Sequence, residues 1–220
     1  MNKNSFLYKN SLTIVFLLLF VLSFVGQFMT GHKEYNEELK DDNFPAITAA
    51  QYLSTGHFIS ATFENWESEF LQMALFVILT RTLRQKGSSE SKKLDGKEEV
   101  DEEPDPSEKD APWPVHKGGF ILAFYKNSLS IVLLLLYLAS FAMHLYGSNL
   151  EYNEQQARLG KPTEKMLDYI FSSKLWFESF QNWQSEFLSI VAIVILSIYL
   201  RQKGSAQSKP VGAPIAETGE

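Results

Sequence analysis

The chain has 220 residues, a formal charge of −6, a mean hydropathy of −0.12 and no cysteine. Lacking cysteine, it has no disulfide framework, thiol nucleophile or thiolate metal site; lacking a basic, aromatic-studded stripe, it has no nucleic-acid footprint. The averages describe an acidic soluble domain, but they sum two unlike populations of residues.

A duplication sets the order of elements. Tyr8-Lys9-Asn10-Ser11-Leu12 returns as Tyr125-Lys126-Asn127-Ser128-Leu129, an offset of 117. The same offset carries Glu34-Tyr35-Asn36-Glu37 onto Glu151-Tyr152-Asn153-Glu154, and Asn65-Trp66 with Ser68-Glu69-Phe70-Leu71 onto Asn182-Trp183 with Ser185-Glu186-Phe187-Leu188. It also carries Leu83-Arg84-Gln85-Lys86-Gly87-Ser88 onto Leu200-Arg201-Gln202-Lys203-Gly204-Ser205. About 36 of the 85 positions in residues 8–92 are identical without a gap, polar positions included, which chance likeness of apolar runs does not produce.

Residues 12–30 carry no charge and at 1.5 Å per residue span a hydrocarbon layer of about 30 Å. They predict a first transmembrane helix over about 11–30. Its counterpart over about 128–148 lies mid-chain, where no signal peptide can be, so the first run reads as a retained span. In each connecting loop a short helix is predicted, near 46–53 and 164–171, the second capped by Thr163. The next apolar runs, 70–80 and 187–200, are too short to cross alone, about 16 to 21 Å. Their helices must continue upstream, which predicts spans over about 63–84 and 180–201 and carries polar residues to membrane level. Tyr52, Tyr169, Trp66, Trp176 and Trp183 fall where interfacial rings are expected.

Between the copies, residues 87–118 hold ten Asp/Glu against five Lys and few apolar side chains, the composition of a disordered spacer. Nearly all of the net charge lies there. The expected organisation is a first two-span repeat over 1–86, an acidic cytoplasmic linker over 87–118, a second repeat over 119–205 and a cytoplasmic tail over 206–220. Lys3, Lys9, Arg81, Arg84, Lys86, Lys117, Lys126, Arg201 and Lys203 flank the spans on one side, which places both termini and the linker in the cytoplasm. The fold class is all-α: a polytopic membrane protein with four transmembrane helices, as two tandem two-span repeats in a parallel pseudo-two-fold arrangement.

Asn65, Ser68, Glu69 and Gln72 stand at i, i+3, i+4 and i+7 and share one helical face, as do Asn182, Ser185, Glu186 and Ser189. This polar stripe is the candidate functional feature. Counting about 22 Å back from Arg84 places Glu69 just within the hydrocarbon boundary, where a carboxylate must face the bundle interior, water or a partner. Glu69 and Glu186 could form a symmetric pair that binds a proton or cation; the alternative is a pair of interfacial helix-end residues with a structural role. Glu34, Glu37, Glu151 and Glu154 could ring an outer vestibule, or be solvated helix ends. Above the stripes, residues 74–79 and 192–196 are apolar on every face, which argues against a continuous polar path.

His32, His57 and His144 align with Asn149, Lys174 and Gln27, and His116 lies in the linker; none is duplicated, and they read as incidental exposed residues. No nucleophile elbow, phosphate loop, dinucleotide fingerprint or H-E-x-x-H motif occurs, so no catalytic residue, cofactor or metal is assigned. The repeated F-x-N-W-x-S-E-F-L and L-R-Q-K-G-S blocks, the E-Y-N-E turns, N-S-L-S-I-V and the tail Ser208-Lys209-Pro210-Val211-Gly212-Ala213-Pro214 together resemble a bacterial family of small integral membrane proteins known as a domain of unknown function. The resemblance covers essentially the whole chain and implies an inner-membrane protein with this duplicated layout, without transferring an activity. One departure is Gly26-Gln27, which becomes Met143-His144 in the second copy. The reading is a non-enzymatic structural or interaction protein in the lipid bilayer, partnered by a second copy or another membrane protein. The alternative is a small proton- or cation-conducting channel or transporter using Glu69 and Glu186.

Overall fold

The computed structural model describes residues 5–219, which are mostly helical with no strand among them. In chain order the helices are α1 (Phe6–Lys9), α2 (Ser11–Asp41), α3 (Ala49–Tyr52), α4 (Gly56–Thr80), α5 (Trp113–Lys117), α6 (Gly119–Tyr125), α7 (Ser128–Arg158), α8 (Met166–Tyr169) and α9 (Ser173–Tyr199). Between α4 and α5 lie turns and one 3-10 turn, Glu99–Asp101. Three helices, α2, α7 and α9, are long and apolar enough to cross a membrane. This corrects the expectation of four equivalent spans: Glu64, Glu67 and Glu69 crowd the middle of α4 and leave only residues 70–80 as an uncharged run.

The duplicated blocks also mark the places where helices start and stop. At Y-K-N-S-L, Asn10 Nδ2 donates to the Phe6 carbonyl at 2.9 Å and Ser11 Oγ to Tyr8 O at 3.0 Å. Asn127 and Ser128 do the same to Ala123 and Tyr125, at 2.9 and 2.8 Å. Each pair occupies carbonyls at the end of a short helix and so joins α1 to α2 and α6 to α7. At L-R-Q-K-G-S, Arg84 Nη1 reaches back to the carbonyls of Thr80, Arg81 and Leu83, and Arg201 Nη1 to those of Ser197, Ile198 and Leu200. Carbonyls that would otherwise lack partners at the helix end are thereby met by a cation, which the helix dipole also favours. That is why α4 and α9 stop at Thr80 and Tyr199, ahead of the expected 84 and 201.

Contacts gather the described residues into two units, each drawing on both sequence copies. The first comprises the chain up to Thr62 and Met143–Ile170. Its core is Tyr35, Leu39, Tyr52 and Phe58, with Phe24, Phe28 and Ile47 against it. Burial of such side chains contributes about 1.5–3 kcal/mol each. Asn36 clasps the connecting loop, its amide accepting from Ile47 N–H at 2.7 Å and donating to Ile47 O at 3.1 Å. Asn153 makes the same clasp on Glu164, at 2.8 and 2.9 Å. The loop helices are single turns, shorter than predicted, and α8 begins at Met166 with Lys165 at the cap position in place of Thr163. The clasp explains this: it holds the backbone at Glu164, so the turn can start only after it.

Within the same unit the start of α4 lies directly on the C-terminal half of α7. A Cβ on Gly56 would sit 2.1 Å from Glu151 N, and one on Gly147 2.5 Å from Ser60 N. Glycines at such a crossing let two helix backbones approach as side-chain-bearing residues cannot. Arg158, at the end of α7, lies 5.7 Å over the Tyr35 ring and 3.4 Å from the Asp42 carboxylate at the end of α2.

The second unit comprises Phe63–Ala142 and the chain from Phe171. An aromatic row, Tyr137, Phe141, Trp176, Phe180 and Trp183, runs through it with successive centroids 5.3–6.2 Å apart. Its buried residues are mostly polar, among them Glu67, Ser68, Gln72, Ser140, Ser179 and Ser197, against the apolar Ala74, Val115, Leu133 and Leu175. In the segment after α4, Lys92 pairs with Asp101, and Lys126 pairs with Glu103.

Candidate functional site

The N-W-x-S-E stripe of α4 splits on folding. Ser68 and Gln72 are buried, whereas Asn65 and Glu69 are exposed. In α9, Asn182 and Glu186 are half-buried and Ser185 and Ser189 exposed. The serines satisfy themselves on their own helices: Ser68 Oγ donates to Asn65 O at 2.9 Å, Ser185 to Asn182 O at 2.8 Å and Ser189 to Glu186 O at 2.7 Å. Such back-bonding lets a hydroxyl sit in an apolar setting without a partner from another helix. Asn182 follows suit, donating to Glu178 O at 3.0 Å. The flanking aromatics recur as well, with Phe63–Trp66 and Phe180–Trp183 edge-to-face at 5.2 and 5.3 Å.

Two carboxylate arrangements stand out in this unit. Glu69 and Glu186 lie within side-chain hydrogen-bonding range of each other. Two carboxylates so close repel each other, and a shared cation would offset their charge. Glu67, one residue outside the predicted stripe, is the fully buried acid: its relative exposure is 0%, and Trp183 Nε1–H donates to its Oε1 at 3.0 Å. Symmetry had hidden it, since the equivalent position is Gln184 and only duplicated acids were sought. Glu64 and Glu178 also bring carboxylate oxygens within 4.8 Å of one another, near enough to share a hard cation. Lys174 Nζ, 3.7 Å from Glu178, offsets part of that charge.

In the first unit the four vestibule glutamates have separate surroundings. Glu37 is exposed, 3.8 Å from Lys33, and Glu154 is half-buried and accepts from Tyr35 OH at 3.3 Å. Glu34, exposed, and Glu151, half-buried, both act on Tyr52. Burial first, and then these carboxylates with Glu38, push the Tyr52 phenol up to about 12. Its hydroxyl lies 2.9 Å from His57 Nδ1.

Apart from the exposed His116, the histidines are not the exposed bystanders expected. His144 is fully buried, with 0% exposure. His32 Nε2 lies 2.9 Å from Ile47 O, and at the equivalent position Asn149 Nδ2 donates to Glu164 O at 3.2 Å. The role is therefore duplicated although the residue type is not, which letter-by-letter alignment cannot reveal. Similarly, Gly31 leaves room for the Tyr52 hydroxyl, whereas its counterpart Ser148 bonds the Tyr169 hydroxyl at 2.8 Å.

No curated protein and no solved structure matches the chain. A family model does, over residues 3–220, and the chain accordingly belongs to the family described as Domain of unknown function (DUF6766).

Proposed function

We propose that this is a multi-pass protein of the bacterial inner membrane, with both termini cytoplasmic, whose role is structural: a scaffold that associates with a second copy or another membrane protein. The observation that carries this reading is the inverted distribution of polarity. At most 17% of the most apolar stretch of any of the three long helices is buried, while the buried positions of the second unit are chiefly Glu, Gln and Ser. Lipid can cover the first set, and helix association in lipid relies on small and polar contacts of the second kind. The 25 residues of α4 measure about 37 Å, enough to cross. Burial of Glu67, Ser68 and Gln72 removes much of its polarity from lipid. The two copies would then enter in the same sense, as a parallel pseudo-two-fold pair of hairpins.

A second reading is favoured by the proximity of Glu69 and Glu186, which suits proton or cation passage. The apolar runs 74–79 and 192–196 weigh against it, because conduction needs polar groups or water through the full depth. Flux measured across proteoliposomes containing the pure protein separates the two. The structural reading expects no flux above empty liposomes. Flux abolished by Glu69→Gln with Glu186→Gln would replace it with the transport reading.

A further inference from the structure

The two L-R-Q-K-G-S blocks fold alike. In each, a β-turn is closed by the serine N–H donating to the glutamine carbonyl, Ser88 to Gln85 and Ser205 to Gln202, both at 3.2 Å. Gly87 and Gly204 take the third turn position with φ of 86° and 84°, the left-handed region where glycine is free of strain. The serine six residues after the glutamine accepts from the glutamine N–H, Ser91 from Gln85 and Ser208 from Gln202, both at 2.9 Å. By its bonding, one structural module is present twice.

Their surroundings differ. The C-terminal tail covers the first turn: Gly87 N–H donates to Thr218 Oγ1 at 2.8 Å and Gly219 N–H to Ser88 O at 3.0 Å. The tail backbone lies so near that a Cβ on Gly87 would sit 2.7 Å from Ile215 O. Gly87 and Ser88 are buried as a result. Around the second turn, nothing lies within 4 Å of where a Gly204 Cβ would be, Gly204 is exposed, and residues 202–205 and 208–211 line an open pocket. Neither the Gly204 N–H nor the Ser205 carbonyl has a hydrogen-bond partner among the described residues.

We propose that the second turn is a docking site for the segment Ile215–Gly219 of a second copy of the chain. The first turn specifies the occupant: a hydroxyl that accepts from the glycine N–H, a glycine N–H that donates to the serine carbonyl, and a backbone turn at Ile215 that needs a bare Cα beneath it. The second turn presents the same glycine N–H, serine carbonyl and bare Cα. A tail can meet only one of the two turns at a time, and each copy's own tail lies on its first turn, so docking is an exchange in which a second copy's tail leaves its own first turn for this one. The chain's own tail leaves from this second turn, is folded back where Lys209 Nζ donates to the carbonyls of Pro214, Ile215 and Glu217 at 3.3, 3.0 and 2.7 Å, and ends on the first turn. The site rests on the turn geometry and not on the membrane reading.

The test is binding of a fluorescent synthetic peptide of residues 210–219 to the purified full chain, by anisotropy. One saturable site per chain is expected. Gly204→Val should weaken it about tenfold or more, because the added side chain occupies the approach path. Gly204→Asn, which tolerates the left-handed conformation, should do the same without deforming the turn. Gly87→Val should leave this site intact, and a Thr218→Val peptide should bind more weakly. Absence of saturable binding, binding indifferent to both Gly204 variants, or binding lost only with Gly87→Val would each overturn the proposal.

Discussion

Gly56→Ala is a small change with a large expected effect. The new Cβ would lie 2.1 Å from Glu151 N and 2.5 Å from its Cα, both backbone atoms that cannot rotate away. Restoring ordinary contact at 3.4 Å requires α4 and α7 to separate by about 1.3 Å at this point. Overpacking of this kind costs about 1–3 kcal/mol, a roughly five- to hundredfold fall in the folded-to-unfolded ratio. Because Gly56 is the first residue of α4, alanine recovers little of the helix propensity it would provide mid-helix. Gly26 is the control: it lies inside α2 with nothing within 4 Å, so Gly26→Ala should leave stability unchanged or raise it by up to about 1 kcal/mol. The assay is unfolding in mixed micelles with increasing denaturing detergent, followed by far-ultraviolet circular dichroism. An unshifted Gly56→Ala transition, or equal shifts for both variants, would refute close backbone packing between α4 and α7.

Asn36→Ala and Asn153→Ala each strand a loop N–H, while the carbonyl keeps its contact with His32 or Asn149, so each should cost about 1–3 kcal/mol and speed hydrogen exchange at the amide of Ile47 or Glu164 respectively. Tyr52, with its folded-state pKa raised to about 12 from 10.0, binds its proton more tightly when folded; its stabilising contribution is complete below pH 10 and lost as pH rises towards 12. Alkaline unfolding followed by ultraviolet difference absorbance should show that step, and Tyr52→Phe should diminish it to the part due to Tyr35, whose phenol burial also pushes up to about 12. Asp101 is held below the usual carboxylate range, first by its hydrogen bond from Lys92 and then by one from the Glu98 N–H. Order in the turn at Glu99–Asp101 should therefore persist above the ordinary carboxylate pKa and fade as pH falls through the lowered one, with Lys92→Ala removing the dependence; proton-detected chemical shifts of Asp101 report it. Glu67→Leu should leave the Trp183 indole N–H without its acceptor, at a cost of about 1–3 kcal/mol, and shift Trp183 emission in a variant whose other tryptophans are phenylalanine.

Much of the fold could be read from the sequence because its polar positions are repeated. An asparagine that recurs in Y-K-N-S-L or E-Y-N-E is not needed for apolar periodicity, and each proves to bond backbone at a helix joint or loop. The starts of α2 and α7 follow from the Asn-Ser pairs, while the ends of α4 and α9 depend on which carbonyls the following arginine reaches, a three-dimensional fact. Other features were invisible for the same reason that the repeat was informative. Glu67, His144 and the His32–Asn149 equivalence lie where the copies differ in letter. Ser68 and Ser185 occupy equivalent positions, yet only Ser68 is buried. The fourth expected span, α4, is helical through residues 63–69 as its pattern required, but Glu64, Glu67 and Glu69 set it apart from α2, α7 and α9 in composition, and only folding shows that Glu67 is buried.

The central claim is that polar residues face inward in a chain that crosses the membrane repeatedly, α4 included. Because the native chain has no cysteine, Asp105→Cys and Lys161→Cys each provide a unique thiol, at positions exposed to solvent. An impermeant maleimide added to intact spheroplasts should label Lys161→Cys at once and Asp105→Cys only after the membrane is permeabilised. Labelling of Asp105→Cys from outside, with Lys161→Cys silent, would mean either that α4 does not cross or that the chain is inserted in the opposite sense, and either result would contradict the account.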